Sequence, residues 1–173
     1  MLALAEISAA RPGYAEVVPQ IIALCPKGQG AFFERKNKMN VQNEAIIMHD
    51  SGFNCAQSVL LACREYCPAL DEKELAAISA GFGGGARCGE LCGAVSGALM
   101  AIGLANPFCD AEDNDAKDKI AALAKEFTGR FAEERGGLRC AELKIDKPAC
   151  EELIRYAAAL AEKMILDNKK QER

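Results

Sequence analysis

The stretch GFGGGARCGELCGAVSGALMAIG, residues Gly81–Gly103, changes character halfway along. Its first part is a glycine loop, and its second reads as a helix of small residues from Gly89 to about Ala105, stopped by Asn106-Pro107. Gly93, Gly97 and Ala101 recur at i, i+4 and i+8, which strips one helix face of bulk. Such a face suits a tight helix–helix contact, a dimer contact, or the close approach of a cofactor. The same spacing drives pairing of membrane helices, but Arg87, Glu90 and a short apolar core argue against a membrane setting. The glycines upstream permit positive φ, so the loop can wrap a ligand. Gly84, Gly85, Gly93 and Gly97 are the candidate cofactor contacts. A phosphate cradle is disfavoured, because the loop lacks a Gly-Lys-Ser/Thr ending and follows no predicted strand.

The flanking segments are also helical. Val41, Ala45 and Met48 recur at helical spacing, and Asn54 is a candidate N-cap for a helix running to Tyr66. Asp71 and Glu74 resemble a capping box opening a helix with Leu75, Ile78 and Phe82 on one stripe. Ile120, Leu123, Ala124, Phe127 and Phe131 form an amphipathic stripe that Gly136-Gly137 ends. After a short turn at Cys140–Leu143, Pro148 opens a last helix with Leu153, Ile154, Ala157, Leu160 and Met164 inward. Composition predicts fraying from Asp167. No stretch alternates with period two. The reading is an all-α, single compact bundle of about five or six helices. Residues 1–38, punctuated by proline and glycine, form a leader or extension; 39–168 the helical domain; 169–173 a charged tail.

Four of the nine cysteines stand apart by position. Cys55, Cys92, Cys140 and Cys150 each follow a break in the chain, three of them in the predicted first turn of a helix. Unpaired N–H groups and the positive dipole end there favour an anion, so these thiols are expected to shift toward thiolate, the form that attacks disulfides or binds metal. Cys63, Cys67 and Cys109 read as buried hydrophobes or surface thiols, and Cys25 as incidental.

Half the residues are apolar and the net charge is −4, which suits one cored domain and gives no nucleic-acid footprint. No apolar run is long enough for a membrane span, and Glu6 and Arg11 spoil the start as a signal peptide. A cytoplasmic setting with mostly reduced thiols is therefore expected. The odd cysteine count agrees, since it excludes complete pairing within one chain.

Asn54-Cys55-Ala56-Gln57-Ser58-Val59-Leu60, then GGGARCGELCGAVSGALMAIGL, then Arg139-Cys140-Ala141-Glu142-Leu143 and Cys150, resembles the bacterial and archaeal family of redox-active proteins named for a C…CGAxxG…C…C pattern. The likeness runs from Val41 to Met164, with CGAxxG on Cys92–Gly97 and the pattern cysteines on Cys55, Cys92, Cys140 and Cys150. The family is similar in turn to the non-haem region of split-Soret cytochromes, which implies an iron–sulfur centre. No Cys-x-x-Cys-His site is present, so no haem is expected. Cys88, Cys63 and Cys67 are additions to the pattern.

Four thiolates gathered from separate helix starts suit a [2Fe–2S] cluster, with Cys55, Cys92, Cys140 and Cys150 as the candidate metal ligands and an unidentified redox partner. A Cys₄ zinc site has the same ligand count but usually uses closely spaced pairs. The alternative is a metal-free thiol–disulfide oxidoreductase or redox sensor, with Cys92 as nucleophile and Cys88 or another pattern cysteine resolving; Cys88 and Cys92, like Cys63 and Cys67, are expected one helical turn apart. Arg87 and Arg139 each precede a cysteine and either stabilise an anionic centre or are solvated. Glu90 reads as a first-turn helix acid or a proton carrier. His49, the single histidine, reads as a partner for a helix C-terminus in preference to a metal ligand.

Overall fold

A computed structural model describes residues 40–108, 110–144 and 147–171. Seven α-helices fill them: α1 (Val41–Asp50), α2 (Cys55–Ala62), α3 (Glu72–Ser79), α4 (Gly93–Ala105), α5 (Asn114–Arg135), α6 (Cys140–Leu143) and α7 (Lys147–Gln171). The domain is all-α, and among the described residues an isolated bridge between Leu91 and Arg139 is the one piece of β pairing. Six of the helices match those read from the sequence, and the predicted turn at Cys140–Leu143 is a seventh of a single turn. The leader, Cys25 and Cys109 lie outside the described residues.

The helix starts are chemically explicit. Asn54 accepts from the N–H groups of Ala56 and Gln57, while the Gln57 side chain accepts from the Asn54 N–H. Asp71 and Glu74 form the capping box predicted for α3, and each such cap contributes about 1 kcal/mol. Gly136, at φ +84°, ends α5 in the left-handed conformation.

Helices α2 and α4 cross at the centre, with α1 and α7 packed alongside. A Cβ on Gly97 would lie 2.3 Å from the Ala56 carbonyl oxygen, so the crossing tolerates no side chain there. Val59, Leu60, Val95, Ala98, Phe127, Phe131 and Ile154 are fully or almost fully buried around it, each contributing about 1.5–3 kcal/mol of hydrophobic stabilisation where the side chain is large. The stripe on α7 is buried as read, from Leu153 to Met164.

Four local expectations are corrected. The helix through Cys55 ends at Ala62, and a 3₁₀ turn carries the chain on to Tyr66. Of the α3 stripe only Leu75 is buried; Ile78 and Phe82 are 45% and 39% exposed, because α3 packs chiefly on α2 at the edge of the bundle. The small-residue helix starts at Gly93 and not Gly89, since Glu90–Cys92 is drawn into the bridge with Leu138–Cys140. Helix α7 continues past Asp167 to Gln171, held by Asn168 donating to Asn106 at 2.7 Å and by Lys169 over the Tyr66 ring. No helix among the described residues is long and apolar enough to cross a membrane.

Candidate functional site

Cys55 is the first residue of α2 and Cys92 is the N-cap of α4, so the central crossing brings two helix starts together. The contact is close. A Cβ on Gly93 would lie 2.5 Å from the Cys55 sulfur and 2.8 Å from the Phe82 carbonyl oxygen. Gly93 is therefore bare because a thiol occupies the space beside it. The glycine loop is anchored to the same helix start: Asn54 donates to the Ala80 carbonyl at 3.0 Å, and Gly83 lies against the Asn54 side chain.

Cys140 arrives from the far end of the sequence on a two-bond strap. The Cys92 N–H donates to the Leu138 carbonyl at 2.8 Å, and the Cys140 N–H donates to the Glu90 carbonyl at 2.6 Å. Side chains reinforce it, with the Arg139 guanidinium donating to both Glu90 carboxylate oxygens at 2.9 and 3.2 Å and to Glu142 at 2.8 Å. Beneath the strap, Gly85 sits against Cys140, where a Cβ would meet the cysteine Cβ and the Glu90 backbone, each at 2.7 Å. Gly84, Gly85, Ala86 and Arg87 all have positive φ, 63°, 65°, 54° and 65°. For Ala86 and Arg87 that conformation costs about 1–2 kcal/mol each, so the loop is held in a shape its non-glycine residues resist.

Cys92 and Cys140 are buried and Cys55 is half-buried, and Cys55 lies close enough to raise both of the others. Burial pushes the Cys92 thiol up to about 11. The backbone N–H groups of Ala94 and Val95 pull it down, though without full capping geometry, and Cys55 and Cys140 push it further up. Cys140 is also raised, by burial and by Cys55, against a lowering influence from Lys144. For Cys92 this overturns the expectation that a place at a helix start makes the thiol acidic: the backbone N–H groups lower its value as expected, but desolvation outweighs them.

The remaining candidates are placed as follows. Cys150 lies half-buried in the first turn of α7. Cys88 is exposed, its thiol donating to the Gly85 carbonyl at 3.2 Å. It is not one regular helical turn from Cys92, because a π turn ends at Gly89 and residues 90–92 form no helix. Cys63 and Cys67 are fully buried in the core, where burial pushes Cys67 up to about 12. Arg139 is committed to two glutamates, and it holds the Glu90 carboxyl below its ordinary value. Gly97 is used by the helix crossing, and Gly84 faces open space. The strap through Leu138 and Glu90 is not legible in the sequence, since two backbone hydrogen bonds leave no periodic trace there.

A family model described as "Putative redox-active protein (C_GCAxxG_C_C)" matches residues 53–164, and the chain belongs to this family. No curated protein and no solved structure matches the chain.

Proposed function

We propose that this member of a redox-active family is an electron carrier whose centre is an iron–sulfur cluster, of the [2Fe–2S] type, held by Cys55, Cys92, Cys140 and Cys150. The observation that carries the reading is the meeting of Cys55, Cys92 and Cys140 at the α2–α4 crossing, beside a glycine that leaves the Cys55 sulfur its space. Cys150 completes the set on the sequence pattern. When bound, the cluster supplies one-electron chemistry; the protein supplies sulfur ligands, a dry lining and a fixed strap.

Two features support a cluster over its rivals. A structural Cys₄ zinc site usually draws on closely spaced cysteine pairs, whereas Cys55, Cys92, Cys140 and Cys150 lie well apart in the chain. Metal-free exchange asks a Cys92 thiol held near 11 to ionise unaided, leaving about one part in ten thousand as thiolate at pH 7. A bound cation removes that obstacle, because a coordinating thiol is deprotonated outright. A separate redox partner gives and takes the electrons.

Anaerobic purification tests the proposal. The expected product is coloured, with visible absorption and matching iron and acid-labile sulfide, all lost in Cys55→Ser, Cys92→Ser and Cys140→Ser. A colourless, iron-free protein that cycles between dithiol and disulfide would establish thiol exchange instead. Loss of colour on changing Cys88 but not Cys140 would overturn the ligand set.

A further inference from the structure

We propose that His49, Asp50 and Glu151 form a second site, for a divalent first-row transition ion, distinct from the cysteine centre. His49 and Asp50 end α1, and Glu151 lies in the first turn of α7. One donor atom from each of the three lies within 4.8 Å of the others. A separate observation points the same way: His49 Nδ1 is buried without a hydrogen-bond partner. An imidazole nitrogen stranded in this way is costly unless something takes its lone pair or its proton.

The donor chemistry is mixed and specific. One imidazole nitrogen and two carboxylate oxygens suit zinc, manganese or iron(II). The ion would sit at the carbonyl end of α1, where the helix dipole favours positive charge, while the start of α7 favours the Glu151 carboxylate. Bonds of about 2.1 Å place tetrahedral donors about 3.4 Å apart, so the three groups must draw closer. Asp50, at the helix end, is the exposed member of the three. The bound ion cross-links α1 to the first turn of α7, one residue beyond Cys150.

Manganese is the probe that separates this site from the thiols, because Mn²⁺ prefers carboxylate and imidazole to thiolate. The full chain is titrated with Mn²⁺ and the free ion read by electron paramagnetic resonance. Saturable binding of a single ion is expected, weakened at least tenfold in His49→Gln and in Glu151→Gln and unchanged in Cys55→Ser. Failure to bind at millimolar Mn²⁺, or binding that survives both changes, would overturn the proposal. So would binding lost in Cys55→Ser, which would put the ion at the thiols. If circular dichroism shows that His49→Gln does not fold, Glu151→Gln and Asp50→Asn decide the matter. The cluster assay is independent: colour with no manganese binding sinks this site alone, and manganese binding without colour sinks only the cluster.

Discussion

Cys63 and Cys67 on one side, and Cys55, Cys92 and Cys140 on the other, show that burial alone does not make a thiol centre. Cys63 and Cys67 close the end of α2 and the turn after it, surrounded by the core. The Cys67 thiol donates weakly to the Cys63 carbonyl at 3.6 Å. The other three lie at helix starts on a seam between α2, α4 and α6, where Gly93 and Gly85 withhold side chains. Cys67 in the first group and Cys92 and Cys140 in the second all resist ionisation. Only the second combines several sulfurs with space beside them and N–H groups aimed their way.

The sharpest way to break that contrast is to fill the seam. Gly97→Val forces a side chain onto the Ala56 carbonyl, and is expected to destabilise the domain by about 3 kcal/mol, read as a lowered urea midpoint with both groups of thiols exposed to alkylation. Next in size is a difference between groups. Cys92→Ser should abolish the redox signal in a midpoint titration, while Cys67→Ala keeps the signal and costs about 1–2 kcal/mol of stability for its lost packing. Cys25→Ser and Cys109→Ser should leave both readings unchanged. A signal that survived Cys92→Ser and vanished in Cys67→Ala would reverse the assignment.

A pH titration of the metal-free protein addresses what the groups share. A thiol raised by folding keeps its proton longer in the native state than in the unfolded chain. The stability held by Cys92 is therefore complete below about 9 and lost as pH rises through about 11. For Cys67 the loss extends to about 12. Urea midpoints should fall across this interval, less steeply in Cys67→Ala, and a rise would refute the sign. The smallest effect belongs to the strap's surface pair. Glu90→Gln removes an exposed, solvent-screened ion pair, and the backbone bonds beneath it should keep Cys92 and Cys140 together, with the urea midpoint nearly unchanged and the redox signal retained.

What the sequence discloses depends on range. Caps at Asn54 and Asp71, the stop at Gly136 and the stripes on α5 and α7 are local, so spacing alone reveals them. The bareness of Gly93 and Gly97 is visible too, but its cause is not: a sequence cannot say that Ala56 and the Cys55 sulfur stand opposite. The strap joins residues far apart in the chain and interrupts the helix that composition predicts from Gly89. Positive φ is legible at glycines, not at Ala86 and Arg87. The raised Cys92 thiol is illegible for a related reason, since dipoles follow from position in a helix whereas desolvation follows from what the rest of the fold places around it.

The Leu138–Cys92 and Glu90–Cys140 bonds also set an order of assembly. A growing polypeptide that has emerged only through α5 already contains two of the three neighbouring sulfurs, yet lacks the segment that pins the loop ahead of α4. The pocket is finished only when the segment from Leu138 to Leu143 has been synthesised and docked, so the three sulfurs become neighbours late, after the helices that carry the first two are already made.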